Sequence, residues 1–125
     1  MFLLDTHTIL WYLKGDKNLS KKVQKIIDSE SICYYSIISF WEIAIKQSLG
    51  KLQLEMSIGF LENYCKKIGF EKIDLKINHI EQIELLPFIH KDPFDRILIS
   101  QAITENLTIL SKDENFEKYP VSVIW

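Results

Sequence analysis

Short apolar runs separated by segments of helical spacing constrain this chain more than any other feature. Residues 1–4 (MFLL), 32–36 (ICYYS), 70–75 (FEKIDL), 107–111 (LTILS) and 121–125 (VSVIW) read as strands. The intervening segments read as helices: 8–13, ending near Gly15; 19–29, with Leu19, Val23, Ile26 and Ile27 at helical spacing; and 39–49, stopping at Gly50. Three more follow: 58–68, stopping at Gly69; 77–86, with Ile77, Ile80, Ile83 and Leu86 on one side; and 93–105. Such alternation predicts βαβ units and a mostly parallel, about five-stranded sheet covered on both faces. With right-handed crossovers the result is a three-layer α/β/α sandwich. In open sheets of this kind, sites form beyond the carboxyl ends of the strands, near the point where strand order reverses.

At 125 residues the chain suits one domain, residues 1–125, built around a single sizeable core. A hydrophobic content of 47% with 26% charged residues places it among globular rather than disordered chains. No apolar run approaches the ~20 residues that span a bilayer. The opening MFLLDTHTIL lacks a basic leader and carries Asp5 inside its apolar stretch, so it does not read as a signal peptide. Cys33 and Cys65 lie far apart without metal-ligand spacing, which fits reduced thiols in a cytoplasmic protein. The formal net charge of −2 argues against coating nucleic acid by bulk electrostatics. It leaves room for a nuclease, whose acidic metal site itself lowers net charge. Lys21, Lys22, Lys25, Lys66 and Lys67 are either solvated helix faces or patches that hold a phosphate backbone.

The carboxylates are where the chemistry concentrates. In DPFDR (92–96), Asp92 fits a helix N-cap, Pro93 the first helical position and Asp95 the third, close to a capping box. The same two acids could instead hold a ligand. Asp5 immediately follows the first strand, and Asp113 follows the strand at 107–111 by two residues. A helix antiparallel to the strands starts at their carboxyl edge, so Asp92 and Asp95 belong to the same rim. Glu42 lies in FWEIAIK, among Phe40, Trp41, Ile43, Ala44 and Ile45, the pattern of a buried helix. An isolated buried carboxylate is costly, so its partner is either Lys46, one turn on, or a cation at the rim.

Four segments thus bring Asp5, Glu42, Asp95 and Asp113 to one rim, with Asp92 nearby. Gathered carboxylates repel, and the cluster persists best around a metal ion or with raised pKa values. All-oxygen ligands suit Mg²⁺ or Mn²⁺ and, with them, phosphodiester hydrolysis. His7 and His90 read as supporting or loop histidines rather than ligands, and His79 as an ordinary helix residue. Thr6 and Ser111 are placed to orient a ligating carboxylate. Ser36 and Ser39 precede Glu42 at the rim, and helix capping explains both well. Arg96, the only arginine, either binds phosphate bidentately or neutralises its acidic neighbourhood.

These residues resemble a known family. LLDTHTILW (3–11), SIISFWEIAIKQSLGKL (36–52), LPFIHKDPFDRILISQA (86–102), LTILSKDENF (107–116) and YPVSVIW (119–125) together look like a PIN-domain ribonuclease of the VapC toxin kind. The resemblance implies Mg²⁺- or Mn²⁺-dependent cleavage of RNA, with Asp5, Glu42, Asp95 and Asp113 as the acidic site and the first three the firmest. Asp92 is then the cap and rim residue. It further implies a homodimer and a cognate antitoxin whose tail enters the acidic groove, the complex repressing its own operon. Lys112, between Ser111 and Asp113, departs from the family pattern, and its ammonium is expected to weaken a metal at Asp113. A signalling receiver domain would want paired acids after the first strand, and an aspartyl phosphatase a second Asp where His7 stands. The alternative that stays open is a non-catalytic PIN-like module that binds RNA or protein.

Overall fold

A computed structural model describes residues 1–125. The elements run β1 (Phe2–Leu4), α1 (Thr6–Lys14), α2 (Lys21–Asp28), β2 (Cys33–Ser36), α3 (Ile37–Ser48), α4 (Ile58–Lys67), β3 (Glu71–Ile73), α5 (Ile77–Leu85), α6 (Pro93–Thr104), β4 (Thr108–Leu110) and β5 (Val123–Ile124). A single 3-10 turn, Phe116–Lys118, lies between the last two strands. All five strands pair in parallel, in the order β3-β2-β1-β4-β5. The expected three-layer α/β/α arrangement is therefore present. Strand order reverses between β1 and β4, and that parallel pair carries Asp5 and Ser111 side by side at its carboxyl end.

The pleat sends successive side chains to opposite faces, and each face has its own core. Leu4, Tyr35 and Leu110 join α1, α2 and α4 through Ile9, Val23, Leu61 and Cys65 on one side. Leu3, Ile73 and Ile109 join α6 through Leu98, Ile99 and Ala102 on the other, with Phe116 and Tyr119 closing it. Each fully buried aliphatic contributes about 1.5–3 kcal/mol, so β1 and β4 anchor both layers. Both cysteines are free and buried, and burial pushes each thiol up to about 11.

Caps set where the helices begin. Asp5 accepts the Thr8 N–H at 2.7 Å, so α1 starts at Thr6, two residues earlier than the spacing predicts. Gly15 ends it at φ 62°, a left-handed conformation that suits glycine. Ser36 accepts the Ile38 N–H at 3.1 Å and starts α3 at Ile37. Ser39 therefore falls inside the helix rather than capping it. The expectation that α3 is buried nearly all round is corrected. Trp41 is 59% exposed and Ala44 is also exposed, while Ile38, Phe40, Glu42 and Ile43 face inward.

Candidate active site

The rim is assembled at the ends of β1 and β4. Asp5 is 6% exposed; Thr8 N–H donates to its Oδ1 and the Ser111 hydroxyl to its Oδ2. Burial pushes the Asp5 carboxyl above the usual carboxylate range, against the hydrogen bonds from Ser111 and Thr8. Ser111 also accepts the Asp113 N–H at 3.0 Å, so one hydroxyl ties both acids together. Asp5 and Asp113 line a common cavity of about 210 Å³ with His7, Trp11 and Lys112.

Glu42 lies 4% exposed on the neighbouring helix. Thr6 donates to its Oε1 at 2.6 Å, and Lys46 pairs with its Oε2 at 2.7 Å. The Thr6 and Ser39 hydroxyls are 3.0 Å apart. Since a carboxylate only accepts and Thr6 has one hydroxyl hydrogen, Ser39 donates to Thr6 and Thr6 to Glu42. Of the two partners weighed for Glu42, Lys46 takes one oxygen, and Thr6, the residue beside Asp5, takes the other.

Asp92 caps α6 by accepting the Phe94 and Asp95 N–H groups at 2.9 and 3.1 Å. Asp95 does not close a capping box. Its Oδ2 meets His90 Nε2 at 3.1 Å instead. Burial, together with the charges of Asp92 and Asp113, pushes the Asp95 carboxyl up to about 7, against the pull of the His90 hydrogen bond. Asp113 and Asp95 are therefore close enough to feel each other.

Behind Asp95 runs a chain whose hydrogen directions are fixed by chemistry. The Tyr119 hydroxyl lies 3.1 Å from Arg96 Nη1, 3.2 Å from His90 N and 2.7 Å from His90 Nδ1. Arginine and amide nitrogens only donate, so Tyr119 spends its single hydrogen on Nδ1. His90 is then the tautomer that carries its proton on Nε2 and donates to Asp95. Arg96 departs from both expectations for it. It is 8% exposed, makes no ion pair with a carboxylate, donates to Pro87 O at 2.9 Å and stacks over the Phe88 ring at 4.9 Å. Its place on the inner side of α6 sends it into the loop beneath the rim. The Lys112 ammonium makes no ion pair with Asp113 and lies 5.9 Å over the Trp11 ring.

His79 is not an ordinary helix residue. It is fully buried, accepts the Lys76 N–H on Nδ1 at 3.1 Å and faces Glu105 through Nε2 at 2.8 Å, away from the rim. Tyr119 has no role legible in the sequence, because its partners His90 and Arg96 lie far from it along the chain. His90, two residues before Asp92, was legible as a supporting residue.

The donors fit a hard divalent cation in type. They are carboxylate oxygens, and each Asp5 oxygen accepts only one hydrogen bond, leaving lone pairs unused. As the side chains stand, no three such groups converge tightly enough to enclose an ion.

A parallel α/β domain with buried acids at its strand-order reversal is the class that fold and site define. The chain matches the PIN domain model over residues 2–121 and belongs to that family. Among solved structures it is similar to VapBC2 from Rickettsia felis bound to a DNA fragment from their promoter (TM-score 0.74, 16% identity, 99% of this chain and 98% of that one). It is also similar to FitAcB from Neisseria gonorrhoeae (0.68, 18%, 100% and 97%) and to a toxin-antitoxin complex from Klebsiella pneumoniae (0.66, 17%, 100% and 97%). At these identities the likeness is one of fold. No curated protein sequence matches the chain. No helix is long and apolar enough to cross a membrane.

Proposed function

We propose that this chain is a divalent-metal-dependent endoribonuclease and the toxin of a toxin-antitoxin pair. The observation that supports this most is the linkage of Asp5 and Asp113 through Ser111, with Asp95 near enough to be raised by Asp113, in a PIN domain. Asp5, Asp95 and Asp113 would hold Mg²⁺ or Mn²⁺, and Glu42 would join them or hold the hydration shell. When bound, the ion supplies a water of lowered pKa and charge stabilisation at the scissile phosphate. The chain's own part is orientation. Ser111 fixes Asp5, Thr6 and Ser39 fix Glu42, and His90 fixes one oxygen of Asp95.

The partners follow from the same reading. The similar structure from Klebsiella pneumoniae is a toxin-antitoxin complex, which supports an antitoxin for this chain. Ile77, Leu85 and Phe88, at 71%, 76% and 73% exposed, are apolar side chains that a homodimer or antitoxin contact would cover. A cytoplasmic setting suits the two free thiols. The Lys46 ion pair favours the second reading, a PIN module that binds without cutting, since it occupies one Glu42 oxygen.

The deciding experiment is cleavage of structured and unstructured RNA with Mg²⁺, Mn²⁺ or EDTA, beside Asp5→Asn and Asp95→Asn. Cutting that needs the metal and is lost in both folded variants supports the nuclease. Divalent-ion binding with no cutting of any RNA supports the binding module, and no divalent-ion binding at all removes the acidic site as its basis.

A further inference from the structure

Beside the acids lies a surface that metal chemistry alone does not use. His7 and Trp11 stand one turn apart on α1 and so share a face. Their rings are 5.6 Å apart and tilted by 36°, and Trp125 braces Trp11 edge-on at 5.7 Å. The Lys112 ammonium stands 5.9 Å over the indole. His7, Trp11, Lys112 and the two acids Asp5 and Asp113 line the 210 Å³ cavity, so an aromatic wall and a cation are continuous with the candidate metal site.

We propose that this cavity is a nucleobase subsite, stacking on Trp11 the base next to the scissile phosphate while Lys112 meets the backbone. The proposal rests on the nuclease reading. An indole face is sequence-tolerant because every base has a π-face, and a cation beside it suits the backbone that carries the base. Asp5 and Asp113 in the same cavity would also draw a basic side chain, so it is the aromatic wall that argues for a base. His7 is exposed at the cavity edge, and its ring, too near Trp11 for a base to enter between the two, borders the subsite. The braced position of Trp11 means that little side-chain freedom is lost on stacking.

The test is binding of a labelled, unstructured oligoribonucleotide to the full chain with Ca²⁺ present, against matched oligonucleotides with one abasic position. In the wild type, one abasic position should weaken binding about tenfold, as expected for loss of one base–aromatic stack. Trp11→Phe should keep that discrimination and Trp11→Leu should abolish it, with both variants folded by circular dichroism. Lys112→Gln should weaken intact and abasic strands alike and reduce the salt slope by about one. The proposal is overturned if no abasic position matters, if Trp11→Leu still discriminates, or if only an arginine-rich peptide binds. Cleavage is scored separately. Discrimination without cutting removes the nuclease and keeps the subsite, whereas cutting with no discrimination does the reverse.

Discussion

Tyr119 has one hydroxyl hydrogen and three neighbours around its oxygen, and that arithmetic sets the state of His90. Tyr119→Phe would leave Arg96 Nη1 short of an acceptor and His90 Nδ1 short of a donor, both in a poorly solvated pocket. The expected cost is about 1–3 kcal/mol, seen as a lower urea midpoint at unchanged m. An unchanged midpoint would mean that the chain of hydrogen bonds is not held in the folded protein. Single residues were legible in sequence where their partners were local. Asp92 as a cap needs only Phe94 and Asp95, and Glu42 with Lys46 needs only one helical turn. Arg96 was not, because its partners lie on Pro87, Phe88 and Tyr119 and depend on how loops meet beneath α6.

At the scale of elements, the end of α6 meets the start of α5 through polar contacts to Glu105. Glu105 caps the carboxyl end of α6, where a negative charge is unfavourable to the helix dipole. His79 and Lys76 answer it at 2.8 and 3.3 Å, and the His79 hydrogen bond, ahead of Lys76, holds the Glu105 carboxyl below its usual range. A depressed folded pKa adds stability above the ordinary glutamate pKa, which is lost as pH falls through the folded value. The melting temperature of Glu105→Gln should therefore lie below wild type at pH 7 and converge with it under acid. A gap that persists at pH 2 would argue for lost packing instead. The strands and helices themselves were visible as apolar runs and helical spacing. The pairing of α5 with α6 was not, since His79 and Glu105 are 26 residues apart and each reads alone as a surface residue.

For the molecule as a whole, the parallel sheet and its three layers followed from alternation, but strand order did not. The order β3-β2-β1-β4-β5 is what puts Asp5 and Ser111 side by side. The rim chemistry then bears on global stability. If a divalent ion binds the folded chain only, Mn²⁺ at about 100 times its Kd should raise unfolding stability by about 2.7 kcal/mol. Asp5→Asn should remove most of that gain, as measured by denaturation with Mn²⁺ and with EDTA. Equal stability in both would mean that no such site forms.

Because β1 and β4 each send one residue into the upper core and the next into the lower, the molecule has no single side on which change is harmless. Tolerance to substitution should instead grade outward across the sheet, least at the central pair and greatest at the edge strands β3 and β5. A lineage of such chains would thus be free to remodel its flanks, and with them whatever it meets, while its middle stays nearly fixed.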